Sequence, residues 1–99
     1  MSVIEPLLSV EFEVFGKVQG VFFTKYLKEM SEHLGLSGWC KNTKKGTICG
    51  KIQGSKTGID HMVVWLTTTG SPGSKIERCE LTNWQTLAKP ELKGFSIRF

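Results

Sequence analysis

The sequence predicts an α+β fold in which a mostly antiparallel sheet carries two helices on one face. Apolar residues alternate with polar ones around Val10, Phe12 and Val14, which is the two-residue period of a half-buried strand. Farther along the chain, apolar residues recur at helical spacing in two separate stretches. These patterns follow one another in the order strand–helix–strand–strand–helix–strand. That order lets both helices bury their apolar stripes against the same sheet.

The first half of the chain is predicted to form a strand, a helix and a hairpin. We expect the strand at about Leu8–Phe15 and the helix at about Phe22–Leu34, where Gly35 is suited to end it. A three-residue turn with glycine at its left-handed position then joins two further strands. These two strands are predicted at about Leu36–Asn42 and Thr47–Gln53.

The second half is predicted to add one helix and two strands. Residues Gly54–Gly58 are expected to form a loop with capping residues, and the second helix follows at about Ile59–Thr68. A strand at about Lys75–Thr82 alternates imperfectly, so we expect it at a sheet edge. After an irregular segment at Ala88–Lys93, a final strand is predicted at Phe95–Phe99. The complete order is the split βαβ, or ferredoxin-like, arrangement (βαββαβ) with an additional C-terminal strand.

Length and charge fit a small protein that attracts anions. The 99 residues fit one domain, and residues 1–7 are expected to form a loose N-terminal tail. The formal net charge is +4 and the pI is about 9.1, which fits attraction to small anions or weak contact with nucleic acid or acidic surfaces. No apolar run reaches the roughly 20 residues of a membrane span, and the N-terminus does not resemble a signal peptide. We therefore expect a cytoplasmic monomer that is not associated with membranes.

The cysteines are predicted to be free thiols. Cys40, Cys49 and Cys79 form an odd set without a C-x-x-C pair, which argues against a disulfide framework and against a zinc site. A three-residue hairpin turn that ends at Gly46 places Cys40 opposite Gly50. Cys40 and Cys49 then point to opposite faces of the sheet, which forbids a bridge between them. We expect neither a metal nor a cofactor.

A glycine-bracketed turn between the first strand and the first helix is the clearest candidate for a functional site. It comprises Gly16-Lys17-Val18-Gln19-Gly20-Val21-Phe22, and Phe23 and Thr24 follow it. Such a turn points backbone N–H groups at one spot, and the helix N-terminus adds its partial positive charge there. The turn is therefore a candidate cradle for a phosphate or a carboxylate. The alternative is an ordinary strand-to-helix connection in which the glycines supply unusual backbone angles.

Five stretches of the sequence resemble the acylphosphatase family, whose members hydrolyse the carboxyl–phosphate bond of acyl phosphates. They are E-F-E-V-F-G-K-V-Q-G-V-F-F, G-L-S-G-W-C-K-N-T-K-K-G-T, G-K-I-Q-G, G-S-P and F-S-I-R-F. They occur in order from Glu11 to Phe99, and the first two together are highly specific. The overall similarity is to the small animal enzymes.

The resemblance implies roles for particular residues. The backbone N–H groups of Gly16–Phe22 would hold the phosphoryl oxygens, and Asn42 would orient the attacking water. In the family an arginine directly follows the last phenylalanine of the V-F-F run and clamps the phosphate, and in this chain Thr24 occupies that place. Simpler roles remain open, namely helix capping by Thr24, hairpin entry for Asn42 and a hydrogen bond within the turn for Gln19.

The neutral side chain of Thr24 leaves more than one function open. A guanidinium would offer a phosphate two charge-assisted hydrogen bonds, whereas threonine offers one neutral hydroxyl. The first hypothesis is a hydrolase of small-molecule acyl phosphates with weakened activity. The second is a catalytically inactive paralogue or variant that binds inorganic phosphate or another anionic partner without turnover. A nucleic-acid-binding module is the least supported, because the sequence lacks the paired aromatics expected on its sheet.

Overall fold

A computed structural model describes residues 5–99 and shows a five-stranded sheet with helices packed on one face. The elements are β1 (Leu7–Lys17), α1 (Phe23–His33), β2 (Ser37–Asn42), β3 (Ile48–Ser55), α2 (Lys56–Val64), β4 (Lys75–Leu87) and β5 (Phe95–Arg98). The strand order is β4-β1-β3-β2-β5; β5 pairs with β2 in parallel, and the other pairs are antiparallel. This arrangement confirms the predicted fold class. No helix in residues 5–99 is long and apolar enough to cross a membrane.

The core lies between the helices and one face of the sheet. In β1 the alternating residues Val10, Phe12 and Val14 are buried, as the sequence pattern predicts. The other strands and the helices add Cys40, Ile48, Ile52, Phe23, Leu27, Ile59 and Met62. Burying one large apolar side chain contributes roughly 1.5–3 kcal/mol, so these positions supply most of the driving force for folding.

Gly50 leaves space for the aromatic ring of Phe12 at the centre of the sheet. Gly50 of β3 pairs with Phe12 on one side and with Cys40 on the other. A Cβ at Gly50 would lie 2.1 Å from the carbonyl oxygen of Trp39 and 2.7 Å from Cζ of Phe12. The absence of a side chain at Gly50 therefore makes room for the Phe12 ring.

The second helix begins earlier than the sequence predicts. Gly54 and Ser55 belong to β3, and α2 starts directly afterwards at Lys56, so the predicted loop Gly54–Gly58 is wrong. Ser55 caps the helix, because its hydroxyl accepts a hydrogen bond of 3.2 Å from the N–H of Gly58. A serine cap satisfies one of the free N–H groups of the first turn. Strand and helix can therefore adjoin without an intervening loop.

The same helix changes its winding before it ends. Residues Trp65–Thr69 form a π-helical turn that Gly70 closes, with the Gly70 N–H bonded to the carbonyl of Trp65 at 2.9 Å. The hydroxyls of Thr67 and Thr68 donate to the carbonyls of Val63 and Val64 at 2.8 and 2.6 Å. These bonds compete with the backbone for the same acceptors, which favours the wider turn. The predicted end near Thr68 is correct, but the geometry of the last turn differs.

Strand β4 lies at the sheet edge, as predicted, and is longer than the sequence indicates. It continues to Leu87 and pairs only with β1 among residues 5–99. Two register shifts interrupt this pairing, one between Phe15 and Gly16 and one between Ser9 and Glu11 of β1. Asn83, at the second shift, has a positive φ of 53°. The shifts explain the imperfect alternation, because each bulge inserts a residue and changes the phase of the pattern.

The predicted loose tail at residues 1–7 lies partly outside the described residues, which begin at Glu5. Leu7 is already the first residue of β1. The Glu5 carboxylate accepts hydrogen bonds from the backbone N–H and the hydroxyl of Thr57, and the Pro6 carbonyl accepts one of 3.2 Å from the N–H of Lys56. These contacts occupy donors at the start of α2, so residues 5–7 are attached to the fold.

The cysteines are free thiols, as predicted. Cys40 pairs with Gly50 in the expected register, and Gly46 has the expected positive φ, here 89°. Burial raises the pKa of the Cys40 thiol to about 12 and that of the Cys79 thiol to about 11. Both thiols therefore stay protonated in the folded protein well above neutral pH.

The substitution Gly50→Ala is expected to lower the free energy of unfolding by about 2–4 kcal/mol, because the added Cβ meets fixed backbone and the Phe12 ring. Gly94→Ala is the matched control. Gly94 has open space around it and a φ of 66°, so this substitution should lower the free energy of unfolding by only about 1–2 kcal/mol. Urea unfolding of the two variants measures the difference. Equal losses would contradict the packing constraint at Gly50.

Stability is expected to fall as the pH rises from about 9 towards 12. The Cys40 thiol ionises near its ordinary pKa of 9.0 in the unfolded chain but stays protonated to about pH 12 in the folded one, so alkali favours unfolding. The contribution of Cys40 is on the order of 1–2 kcal/mol at pH 10.5. Urea unfolding at pH 8 and pH 10.5 should show a smaller loss for Cys40→Val than for the wild type. An identical loss in both proteins would contradict the assignment.

Candidate anion-binding site

The connection between β1 and α1 is shorter than the predicted turn. Gly16 and Lys17 belong to β1, where they pair with Ile76 and Lys75 of β4. Gly16 is needed for close approach, since a Cβ there would lie 2.1 Å from the carbonyl oxygen of Lys75. The β1–α1 loop therefore consists of Val18–Phe22.

This loop leaves backbone donors unused at a helix N-terminus. The N–H groups of residues 19–22 donate to no other group within residues 5–99. Phe22, the residue before α1, has a left-handed conformation with φ 55°, and no side chain caps the helix. Capping by Thr24 is therefore not observed. The first turn of α1 also carries no acidic side chain, so the positive end of the helix dipole is not neutralised locally.

Two side chains attach the β1–α1 loop to neighbouring segments. The Nε2 group of Gln19 donates to the carbonyl oxygens of Thr43 at 2.9 Å and of Thr47 at 2.8 Å, both on the hairpin between β2 and β3. The expectation that Gln19 bonds within its own turn is therefore wrong. On the other side, the Ser71 hydroxyl donates to the carbonyl of Val21 at 2.8 Å. The loop is held between the hairpin and the turn that follows α2.

The hairpin is itself fixed to the sheet. The Thr43 and Thr47 hydroxyls lie 2.6 Å apart, and the Thr47 hydroxyl donates to Glu13 of β1 at 2.6 Å. The N–H of Thr43 donates to the carbonyl of Thr47 at 2.9 Å and closes the turn. Asn42, the last residue of β2, directly precedes this network. Its position is therefore set relative to both β1 and the β1–α1 loop.

Thr24 and Asn42 line one cavity of about 300 Å³, together with Ile97, Arg98 and Phe99. We call it the Thr24–Asn42 cavity. The loop residues Val18–Phe22 are not among those that line it. The three residues from β5 and the chain end are not among the site residues that the sequence predicts. Their alternation predicts a strand, but only the parallel pairing of β5 with β2 brings that strand beside Asn42.

The Thr24–Asn42 cavity is lined mainly by neutral groups. Thr24 contributes a hydroxyl and Asn42 a carboxamide, both of which can hydrogen-bond to an oxyanion or a water molecule. The guanidinium carbon of Arg98 lies 4.3 Å from the ring centroid of Trp39, a residue that does not line the cavity. Within residues 5–99, no group of three His, Cys, Asp or Glu side chains is arranged to hold a metal ion. The arrangement can position a substrate and a water molecule through hydrogen bonds.

This fold is that of a known protein family. A family model described as Acylphosphatase matches residues 10–97, and the chain belongs to the acylphosphatase family. It is 47% identical to Acylphosphatase-2 of Rattus norvegicus over 95 residues, covering 96% of this chain and 98% of that protein. It is 44% identical to Acylphosphatase-2 of Homo sapiens over 99 residues, covering 100% of both. The crystal structure of acylphosphatase from Bacillus subtilis superimposes with a TM-score of 0.85 at 27% identity, covering 93% of this chain and 99% of that one.

Removal of the Gln19 carboxamide is expected to loosen the attachment of the loop to the hairpin. Gln19→Ala should lower the free energy of unfolding by about 1–3 kcal/mol, because two carbonyl acceptors lose their partner. Gln85→Ala, at an exposed position of β4, is the control and should change it by less than about 0.5 kcal/mol. Urea unfolding measures both variants. Equal effects would show that the bridge does not stabilise the fold.

Proposed function

We propose that this protein hydrolyses the carboxyl–phosphate bond of small-molecule acyl phosphates, at a rate lowered by the neutral side chain of Thr24. Membership of the acylphosphatase family supports this chemistry. The observation that carries the proposal is the single cavity shared by Thr24 and Asn42. In the proposal, residues 1–99 act as one domain and as a cytoplasmic monomer, without a metal or other cofactor.

In this mechanism the protein positions the reactants. The unused N–H groups of the β1–α1 loop and the N-terminus of α1 hold the phosphoryl oxygens, which accept hydrogen bonds from them. The Asn42 carboxamide orients a water molecule for attack on phosphorus. The bond between phosphorus and the acyl oxygen breaks, the carboxylate leaves, and a phosphate oxygen takes the proton from the water. Because carboxylate is a good leaving group, positioning and charge stabilisation account for most of the catalysis.

Thr24 sets the expected rate. Hydrogen bonds to a charged group are worth roughly 1.5–3 kcal/mol each, and a guanidinium at this position would supply two of them. Their absence corresponds to about 3–6 kcal/mol, or roughly two to four decades in rate. Lys25, the next residue, is turned by about 100° around the helix and cannot replace this charge.

The second candidate function is anion binding without turnover. The neutral Thr24 hydroxyl favours it, because the loop donors can still hold phosphate when the charge stabilisation of the reaction is insufficient. In this case the protein is an inactive member of the family that binds inorganic phosphate or a phosphate-bearing partner.

The substitution Thr24→Arg separates the two functions. We expect hydrolysis of benzoyl phosphate to accelerate by about two to four decades, since the guanidinium stabilises the charge of the transferred group. Lys25→Arg is the matched control, because it places the same guanidinium at the next, exposed position of α1 and should leave the rate unchanged. Initial rates of benzoyl phosphate hydrolysis measure both variants.

The possible results discriminate clearly. Equal rates for the wild type and Thr24→Arg would overturn the proposed effect of Thr24. If only the variant hydrolyses the substrate while phosphate raises the melting temperature of the wild type, binding without turnover is the correct function. Neither turnover nor a phosphate-dependent shift in either protein would overturn both functions.

A further inference from the structure

A second cavity of about 520 Å³ adjoins the Thr24–Asn42 cavity at the turn that joins β2 to β3. Asn42 and Phe99 line both cavities, so the two spaces share a boundary at the residue proposed to orient the water. The second cavity is lined further by Lys41, Lys44 and Lys45, and we call it the lysine cavity. This shared boundary is the geometric basis for a ligand that reaches both spaces.

The lysine cavity carries an excess of positive charge. One acidic side chain, that of Glu13, lies in it beside the three lysines. Glu13 already accepts a hydrogen bond of 2.6 Å from the Thr47 hydroxyl and lies 3.7 Å from Nζ of Lys45. Lys41 and Lys44 form no ion pair within residues 5–99. Nζ of Lys41 lies 5.9 Å from the ring centroid of Trp39, and both lysines are exposed, so their ammonium groups can reach an anionic ligand.

The distribution of charge between the two cavities is the basis of the inference. The one cation that lines the Thr24–Asn42 cavity is Arg98, whose guanidinium lies against the Trp39 ring. Three lysines line the adjoining cavity, and two of them form no ion pair within residues 5–99. A substrate with negative charge at both ends would gain the missing attraction from the lysines. Exposed ion pairs are individually weak and are screened by salt, so the contribution should be modest and dependent on ionic strength.

We propose that the lysine cavity is a subsite for a second anionic group, which selects acyl phosphates whose acyl part carries a carboxylate or a phosphate. This inference rests on the proposed function for the placement of the phosphoryl group beside Asn42. Lys41 and Lys44 act in it as binding residues for the distal charge. Acyl phosphates with a neutral acyl part make no such contact with the lysines and therefore bind less tightly.

The test measures binding of stable analogues, so it does not depend on turnover. Calorimetry gives the dissociation constants of benzoylphosphonate and of 4-carboxybenzoylphosphonate, which differ only in the distal carboxylate. At roughly 20 mM salt we expect the carboxylated analogue to bind about three- to tenfold more tightly, and this preference should disappear near 0.5 M salt. The double variant Lys41→Gln/Lys44→Gln should lose the preference.

The control removes the same amount of charge elsewhere. Lys89 and Lys93 are exposed in the segment between β4 and β5 and line neither cavity, so Lys89→Gln/Lys93→Gln should retain the preference. An equal loss in both double variants would show general charge attraction and overturn the subsite, as would the absence of any preference in the wild type. The salt dependence of the wild type provides a test that does not rely on a variant.

The result is distinguishable from a failure of the proposed function. If the wild type does not hydrolyse benzoyl phosphate but prefers the carboxylated analogue through Lys41 and Lys44, the hydrolase function fails and the subsite stands. If hydrolysis occurs and no preference is seen, the function stands and the subsite fails. If the wild type neither hydrolyses benzoyl phosphate nor binds either analogue, both proposals are overturned.

Discussion

The carboxamide of Gln19 is the contact on which the arrangement of the site depends. It joins the β1–α1 loop to two carbonyls at the mouth of the hairpin, 24 and 28 residues away in sequence. Each hydrogen bond has a net value of about 1 kcal/mol, so the contact is worth about 2 kcal/mol, in keeping with the loss expected for Gln19→Ala. Its importance lies in position, because Thr43 directly follows Asn42 and the loop directly precedes α1. One side chain thereby relates the helix that carries Thr24 to the strand that carries Asn42.

Much of the fold could be predicted because its signals are local. Alternation in β1 and helical spacing in α1 indicated the elements, and the hairpin register followed from the position of Gly46. The errors arose where a contact distant in sequence or a cap decides the structure. Ser55 caps α2, so no loop separates this helix from β3. The bulges in β4 interrupt the two-residue alternation by which a strand is recognised in a sequence. The parallel pairing of β5 with β2 leaves no local trace, and so the cavity residues Ile97, Arg98 and Phe99 were not foreseen.

The site combines strong positioning with weak local charge. Its loop is held by Gln19 on one side and by Ser71 on the other, and its helix begins without a cap. Arg98 lines the cavity with its guanidinium against the Trp39 ring, and the lysines lie across the boundary formed by Asn42 and Phe99. In the proposed function, the charge of the ligand therefore decides how tightly the site holds it. The sequence alone shows that Thr24 stands at this position. Only the structure shows that the lysines line a cavity next to the one that Thr24 lines.

The register shifts of β4 also bear on how this protein behaves when it is concentrated. An exposed edge strand is a template on which a strand of another molecule can add, and long regular edges lead to intermolecular β-structure. In β4 the two bulges divide the free edge into short segments, and charged residues such as Glu77, Arg78 and Glu80 are exposed along it. A second chain would have to break its own hydrogen-bond ladder twice and desolvate these charges to dock there. The irregularity of this strand therefore protects the folded molecule against aggregation.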